Sequence, residues 1–133
     1  MTGRAVMTRR ALQILVALVG SVALVAGVSS VLFGVYIVPG HGEVVPSVDS
    51  ELRFYAVWYA AAGIVLLRAV PGVEEARTTI RVVAAAFFIA GCARLISIAV
   101  AGKPHGSLLV LMALELVLPV VMVPWQAAVQ RSA

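Results

Sequence analysis

Two ionisable side chains stand deep inside apolar runs of this sequence: Arg94, in a run from about Thr79 to Val100, and Glu115, in a run from about Leu108 to Val123. A guanidinium and a carboxylate can bind an opposite charge, carry a proton, or hold each other. In hydrocarbon either one alone costs roughly 2.5–3.5 kcal/mol on insertion scales, so such groups usually face protein or water and find partners. Spacing names the partner. With Pro104 as the tip between the two runs, Arg94 lies ten residues before it and Glu115 eleven after it. In antiparallel helices these offsets reach nearly the same depth, roughly 12 Å below the surface by helical rise. An Arg94–Glu115 ion pair is therefore predicted.

Two readings of that pair stand side by side. It fixes the register of a hairpin, a role buried polar pairs have elsewhere, or it lines an outward-facing polar cavity. In the second reading Arg53, Glu51 and His105 contribute from the outer ends of their helices, and Ser97 is a hydrogen-bond neighbour of Arg94 or bonds back to its own helix. The other reactive residue types carry weaker signals. His41 and His105 are single loop histidines without metal spacing, and Cys92, the sole cysteine, reads as a small core residue. No G-x-S-x-G, P-loop, H-E-x-x-H or dinucleotide fingerprint occurs. No nucleophile, base and orienting group can be assembled. The expectation is a non-enzyme with no metal and no cofactor.

The elements that must position these residues follow from composition. Of the 133 residues, 62% are hydrophobic and 12% charged, against about 45–50% and about 25% in soluble domains. A soluble domain this small cannot hide so much apolar surface; lipid as solvent removes the difficulty. A span needs roughly 20 residues, so four spans with short connections fill the chain as one transmembrane domain over residues 1–133. The expected fold is all-α, an integral membrane four-helix bundle, with helices at about 11–38, 52–70, 79–100 and 108–123. Asp49 or Ser50 is expected to cap the second helix, Pro119 to kink the fourth, and Trp125, Trp58, Tyr55 and Tyr59 to sit near segment ends in aromatic belts. The basic start of segment one, with Gly27-Val28-Ser29 as a small-x-small site, also permits a signal-peptide reading; the apolar run to Val38 is too long for a typical signal core.

The net charge of +4 does not point to nucleic acid, because the basic residues sit at segment ends. They read as topology signals. Seven (Arg4, Arg9, Arg10, Arg68, Arg77, Arg81, Arg131) flank one side, two (Arg53, Lys103) the other, and Arg94 is the tenth. That asymmetry predicts both termini in the cytoplasm. Segment one also carries Gly20, Ala23, Gly27, Ser30 and Gly34 in steps of three and four, all on one helical face. Membrane helices associate by close van der Waals approach, so this seam is expected to pack against another helix, and Ala56, Ala60 and Gly63 repeat the pattern in segment two.

The stretches Glu51-Leu52-Arg53-Phe54-Tyr55, Ala93-Arg94-Leu95-Ile96-Ser97 and Gly102-Lys103-Pro104-His105, followed by Leu114-Glu115-Leu116 and Pro119, resemble a family of small bacterial four-helix membrane proteins, domain of unknown function 4345. The resemblance implies the four-helix architecture and a bacterial inner-membrane location. It assigns no activity, and it marks Glu51, Arg53, Arg94, Gly102, Pro104 and Glu115 for testing. The expected role is binding of a small or lipid-like ligand in an outward-facing cavity around Arg94 and Glu115. The alternatives are a structural or partner subunit, in a homo- or hetero-oligomer docked through the seam, and a small proton-coupled transporter.

Overall fold

Apolar side chains surround every long segment of the chain rather than forming one stripe. On the first helix Leu12, Val16 and Ala23 are buried while Ile14, Leu18, Val22 and Val25 are exposed. A helix hydrophobic on all sides belongs in a core or a membrane. The structure, a computed structural model, describes residues 3–133 apart from the side chains of Arg4 and Ala5. The Arg4 charge counted toward orientation and the state of the Met1 end lie outside the described residues.

Four helices follow in order: α1 (Gly3–Phe33), α2 (Pro46–Ala69), α3 (Arg77–Ala101) and α4 (Gly106–Ser132), with a 3₁₀ turn (Gly34–Ile37) after α1. All four are long and apolar enough to cross a membrane, which suggests a multi-pass membrane protein.

Their bounds differ from the sequence reading by more than two residues in four places. α1 begins at Gly3 rather than near Ala11, its basic first turns being helical though not apolar. α1 stops at Phe33 rather than continuing to Val38, because Gly34 turns left-handed at φ +58°. A side chain there would run into Asp49 Oδ1 and the Arg53 guanidinium. α2 begins at Pro46, six residues early. Proline suits a first turn because its missing N–H is one that no helical carbonyl would receive. Neither Asp49 nor Ser50 caps it; Asp49 lies within its first turn and accepts the Val35 N–H at 2.8 Å. α4 does not end at Val123. It runs through Pro119 and Pro124 to Ser132, and membrane helices tolerate such prolines. Trp125 therefore sits mid-helix, packed on the core. Tyr55, Trp58 and Tyr59 likewise fall well inside α2, not at its end.

α1 pairs most closely with α2 and α3 with α4, giving two hairpins. The α1–α2 crossing is made by small residues. A Cβ on Gly27 would come within 2.7 Å of Ala60 Cα, and one on Gly63 within 2.5 Å of Leu24 N. Backbones this close supply the van der Waals attraction that replaces the hydrophobic drive in lipid. The two hairpins meet in a core that includes Leu12, Val16, Leu66, Ile80, Met122 and Val129. All six belong to the half of the bundle carrying the chain termini and the 70–76 loop.

Polar bonds close that end. Arg9 reaches both Glu74 oxygens at 2.9 Å and Pro71 O at 2.8 Å, Gln13 Nε2 donates to Val70 O at 2.9 Å, and the wholly buried Gln126 donates to Glu74 O at 3.0 Å. The hydrogen bonds from Arg9 hold the Glu74 carboxyl below the usual carboxylate range. The opposite, tip half holds far less of the core, and the cavities described next reach into it.

Candidate functional site

Gly91 of α3 begins the site. It is buried against α4, where a Cβ would lie 2.8 Å from Leu116 Cγ and 3.3 Å from Glu115 Cβ. Three residues on, along the same helical face, Arg94 meets Glu115: Nε donates to Oε2 at 2.6 Å and Nη2 to Oε1 at 3.2 Å. Tyr59 of α2 completes the set, its hydroxyl donating to Oε1 at 2.9 Å. Charge-assisted bonds of this kind are the strong ones; two tie α3 to α4, and the third, from Tyr59, crosses from α2 to the second hairpin. Phe87 holds the Tyr59 ring from the side, with centroids 5.3 Å apart.

The cluster is unevenly buried. The Glu115 side chain is 3% exposed and that of Arg94 36%. A side-on carboxylate pair uses the Nε–Nη2 edge of the planar guanidinium. Nη1, on the opposite edge, has no acceptor among the described residues.

Two cavities flank this cluster and share Tyr59 and Leu111 as a common wall. The inner one, of about 210 Å³, is almost wholly apolar and includes Ala84, Phe87, Pro119, Met122 and the edge of Glu115 in its lining. Its walls also include Leu18, Val22 and Leu114, all exposed, so it opens sideways between α1 and α4. The outer one, of about 370 Å³, is lined by Arg94, Ser30, Tyr55 and Ala56 and reaches the 3₁₀ turn and Pro39.

The remaining residues singled out from the sequence do not converge here. Arg53, placed in the same interior by the sequence reading, instead pairs with Asp49 at 2.8 Å and donates to the α1 carbonyls of Val31 at 2.7 Å and Leu32 at 3.0 Å. It closes the C-terminal end of α1, where carbonyls lack helical partners. Glu51 and Ser97 are exposed, and His105 accepts the Ser107 N–H at 3.3 Å, capping α4. Gly20 and Gly27 are buried against α2, Ala23 is buried at the wall of the inner cavity, and Ser30 reaches the outer cavity.

Tyr59 is the residue the sequence reading missed, having been placed in an aromatic belt. The signal available was valence: an ionised carboxylate offers about four acceptor sites, more than one guanidinium edge can fill. Gln126 was missed because α4 was ended too soon.

No curated protein and no solved structure matches the chain. The model of one family, described as domain of unknown function (DUF4345), matches residues 11–126. That span takes in α2 and α3 whole, most of α1 and α4, and every residue of the Tyr59–Arg94–Glu115 cluster, and the chain belongs to this family.

Proposed function

We propose that this protein is a non-enzymatic, multi-pass membrane protein of the bacterial inner membrane, with cytoplasmic termini, that binds a small amphipathic ligand. One observation carries the reading: a hydrogen-bonded polar cluster sits between an almost wholly apolar cavity and a second, mostly apolar one into which Arg94, Ser30 and Tyr55 bring polar groups. An amphiphile has the same division. Ligand sites are mostly apolar with a few converging polar groups, and an apolar cavity of about 150 Å³ already admits benzene. The inner cavity, at about 210 Å³, suits a short alkyl chain or a ring. Seven basic residues at the terminal end against two at the tip end support the orientation, which turns the outer cavity away from the cytoplasm.

The partner-subunit reading rested on a free small-residue seam, and Gly20 and Gly27 already face α2 of the same chain. The transporter reading needs a carboxylate able to exchange its proton, and both Glu115 oxygens are engaged by Arg94 and Tyr59.

Thermal unfolding of the purified protein in mild detergent with added decanol tests the reading. A ligand at a hundred times its dissociation constant stabilises by about 2.7 kcal/mol, so Tm should rise with decanol concentration. Ala84→Phe, which fills the inner cavity from a buried position, should remove the rise while leaving a folded protein. A Tm that decanol does not raise, or raises equally in both proteins, refutes it.

A further inference from the structure

Resting on the amphiphile reading, we infer that the ligand's headgroup is an anion, a carboxylate or phosphate, taken up by the free edge of Arg94 in the outer cavity. Of the polar groups lining that cavity, Arg94 brings a guanidinium with Nη1 uncommitted, and Ser30 and Tyr55 bring hydroxyls. No carboxylate lines it. Glu115 lies behind the guanidinium, on the wall of the inner cavity, with 3% of its side chain exposed.

A headgroup entering from the tip end therefore meets donors and a positive charge first. A cationic headgroup meets that same charge and is screened from Glu115 by it. Of the other charged residues at this end, Glu43, Glu51 and Lys103 are exposed and take no part in the lining. Arg53 and Asp49 neutralise each other at 2.8 Å and take no part in the lining.

The geometry also orders the parts of the ligand. Tyr59 and Leu111 stand between the two cavities, so a chain whose head lies on Arg94 reaches the apolar space beside Phe87 and Met122 only where these two side chains part. Glu115 is then a positioning residue. It holds one edge of the guanidinium so that the other stays aimed at the headgroup, as a planar fork with two usable edges allows.

Matched-chain probes test this. Protein in nanodiscs of phosphatidylcholine is titrated with radiolabelled decanoate, with decanol and decyltrimethylammonium as competitors and empty discs as the blank. Decanoate should bind about tenfold more tightly than decanol, the worth of one charge-assisted hydrogen bond, and decyltrimethylammonium more weakly than either. In Arg94→Lys the ammonium that pairs with Glu115 has no second planar edge aimed into the outer cavity, so the tenfold preference for decanoate over decanol should fall toward unity. The neutral double variant Arg94→Gln/Glu115→Gln should behave likewise without stranding a charge.

Equal binding of all three probes by the wild type, or a decanoate preference that survives in both variants, overturns the anion assignment and leaves the amphiphile reading standing. If none of the probes binds, the amphiphile reading falls with it. Discs containing phosphatidylglycerol separate the two sources: displacement of decanoate identifies a bilayer phospholipid headgroup as the anion, and lack of displacement identifies a free single-chain acid.

Discussion

Replacing Arg94 by Leu tests the pair that ties α3 to α4, and the uneven burial of that pair gives the expected cost its shape. Without Arg94, the Glu115 carboxylate keeps one donor, the Tyr59 hydroxyl, and remains enclosed with 3% of its side chain exposed. Stranding one member of a buried pair costs about 3–5 kcal/mol. Glu115→Leu is milder. The released guanidinium already has 36% of its side chain exposed on the outer cavity and can extend toward water or headgroups, as long basic side chains do. What remains is a Tyr59 hydroxyl without its acceptor, about 1–3 kcal/mol. The double variant Arg94→Leu/Glu115→Leu removes both charges and leaves only that hydroxyl, so it should cost no more than Glu115→Leu alone. The cycle then closes with a coupling at least equal to the Arg94→Leu cost, about 3–5 kcal/mol, at or above the upper end for contacting residues. Equilibrium unfolding by sodium dodecyl sulfate in mixed micelles, on all four proteins, measures it. Interhelical polar contacts in membranes average nearer about 0.6 kcal/mol; a coupling at or below that value, or a larger cost for Glu115→Leu than for Arg94→Leu, refutes the reasoning.

Further outcomes follow from the same structure. Gly27→Ala would set a Cβ 2.7 Å from Ala60 Cα and 2.8 Å from Ala56 O, backbone atoms that cannot turn aside, so the same titration should show a loss of about 1–3 kcal/mol. Gly72→Ala, with nothing within 4 Å, is the control, and equal stability of the two variants denies the close crossing. The Arg9 hydrogen bonds lower the Glu74 pKa, so the native state binds fewer protons there than the unfolded chain near about pH 4. That stabilisation is present above the ordinary carboxylate value and is lost as pH falls through the native one. The stability difference between wild type and Glu74→Gln should accordingly shrink in acid, and a difference independent of pH counts against the pair. A reporter fused after Ala133 should be active only where its signal works in cytoplasm; activity of a periplasmic reporter there reverses the orientation.

Much of the architecture was legible because hydrocarbon is a severe solvent. Four apolar runs, a pair of offsets from Pro104 and a three-four stagger of small residues are one-dimensional signals, and the first two locate Arg94 opposite Glu115. The errors share a cause. Hydropathy reports how much chain prefers lipid, whereas a helix ends where its hydrogen bonds end. α2 therefore begins at Pro46 and α4 continues to Ser132, beyond their most apolar stretches. Arg53 shows the same limit. A charge one helical step from a small-residue face could point into the bundle or close a neighbouring helix, and only the left-handed turn at Gly34, which exposes the α1 carbonyls to it, decides for the second.

The choice between a register lock and a ligand cavity, posed by the sequence as alternatives, changes character once Tyr59 is in place. A lock alone is best served by burying both charges, because any exposed edge weakens the pair. Here only Glu115 is buried; the guanidinium is half turned to a cavity whose other polar groups are hydroxyls. The core that joins the hairpins lies at the terminal end, so in the tip half, among the described residues, one hairpin is held to the other chiefly by the Tyr59–Glu115–Arg94 bonds and sparse apolar contacts. Those bonds fix the spacing of the walls and, by occupying one edge of Arg94, leave the other free. Register and recognition are then two consequences of one arrangement, and a variant that keeps the spacing while removing the charge, Arg94→Gln/Glu115→Gln, is the one that separates them.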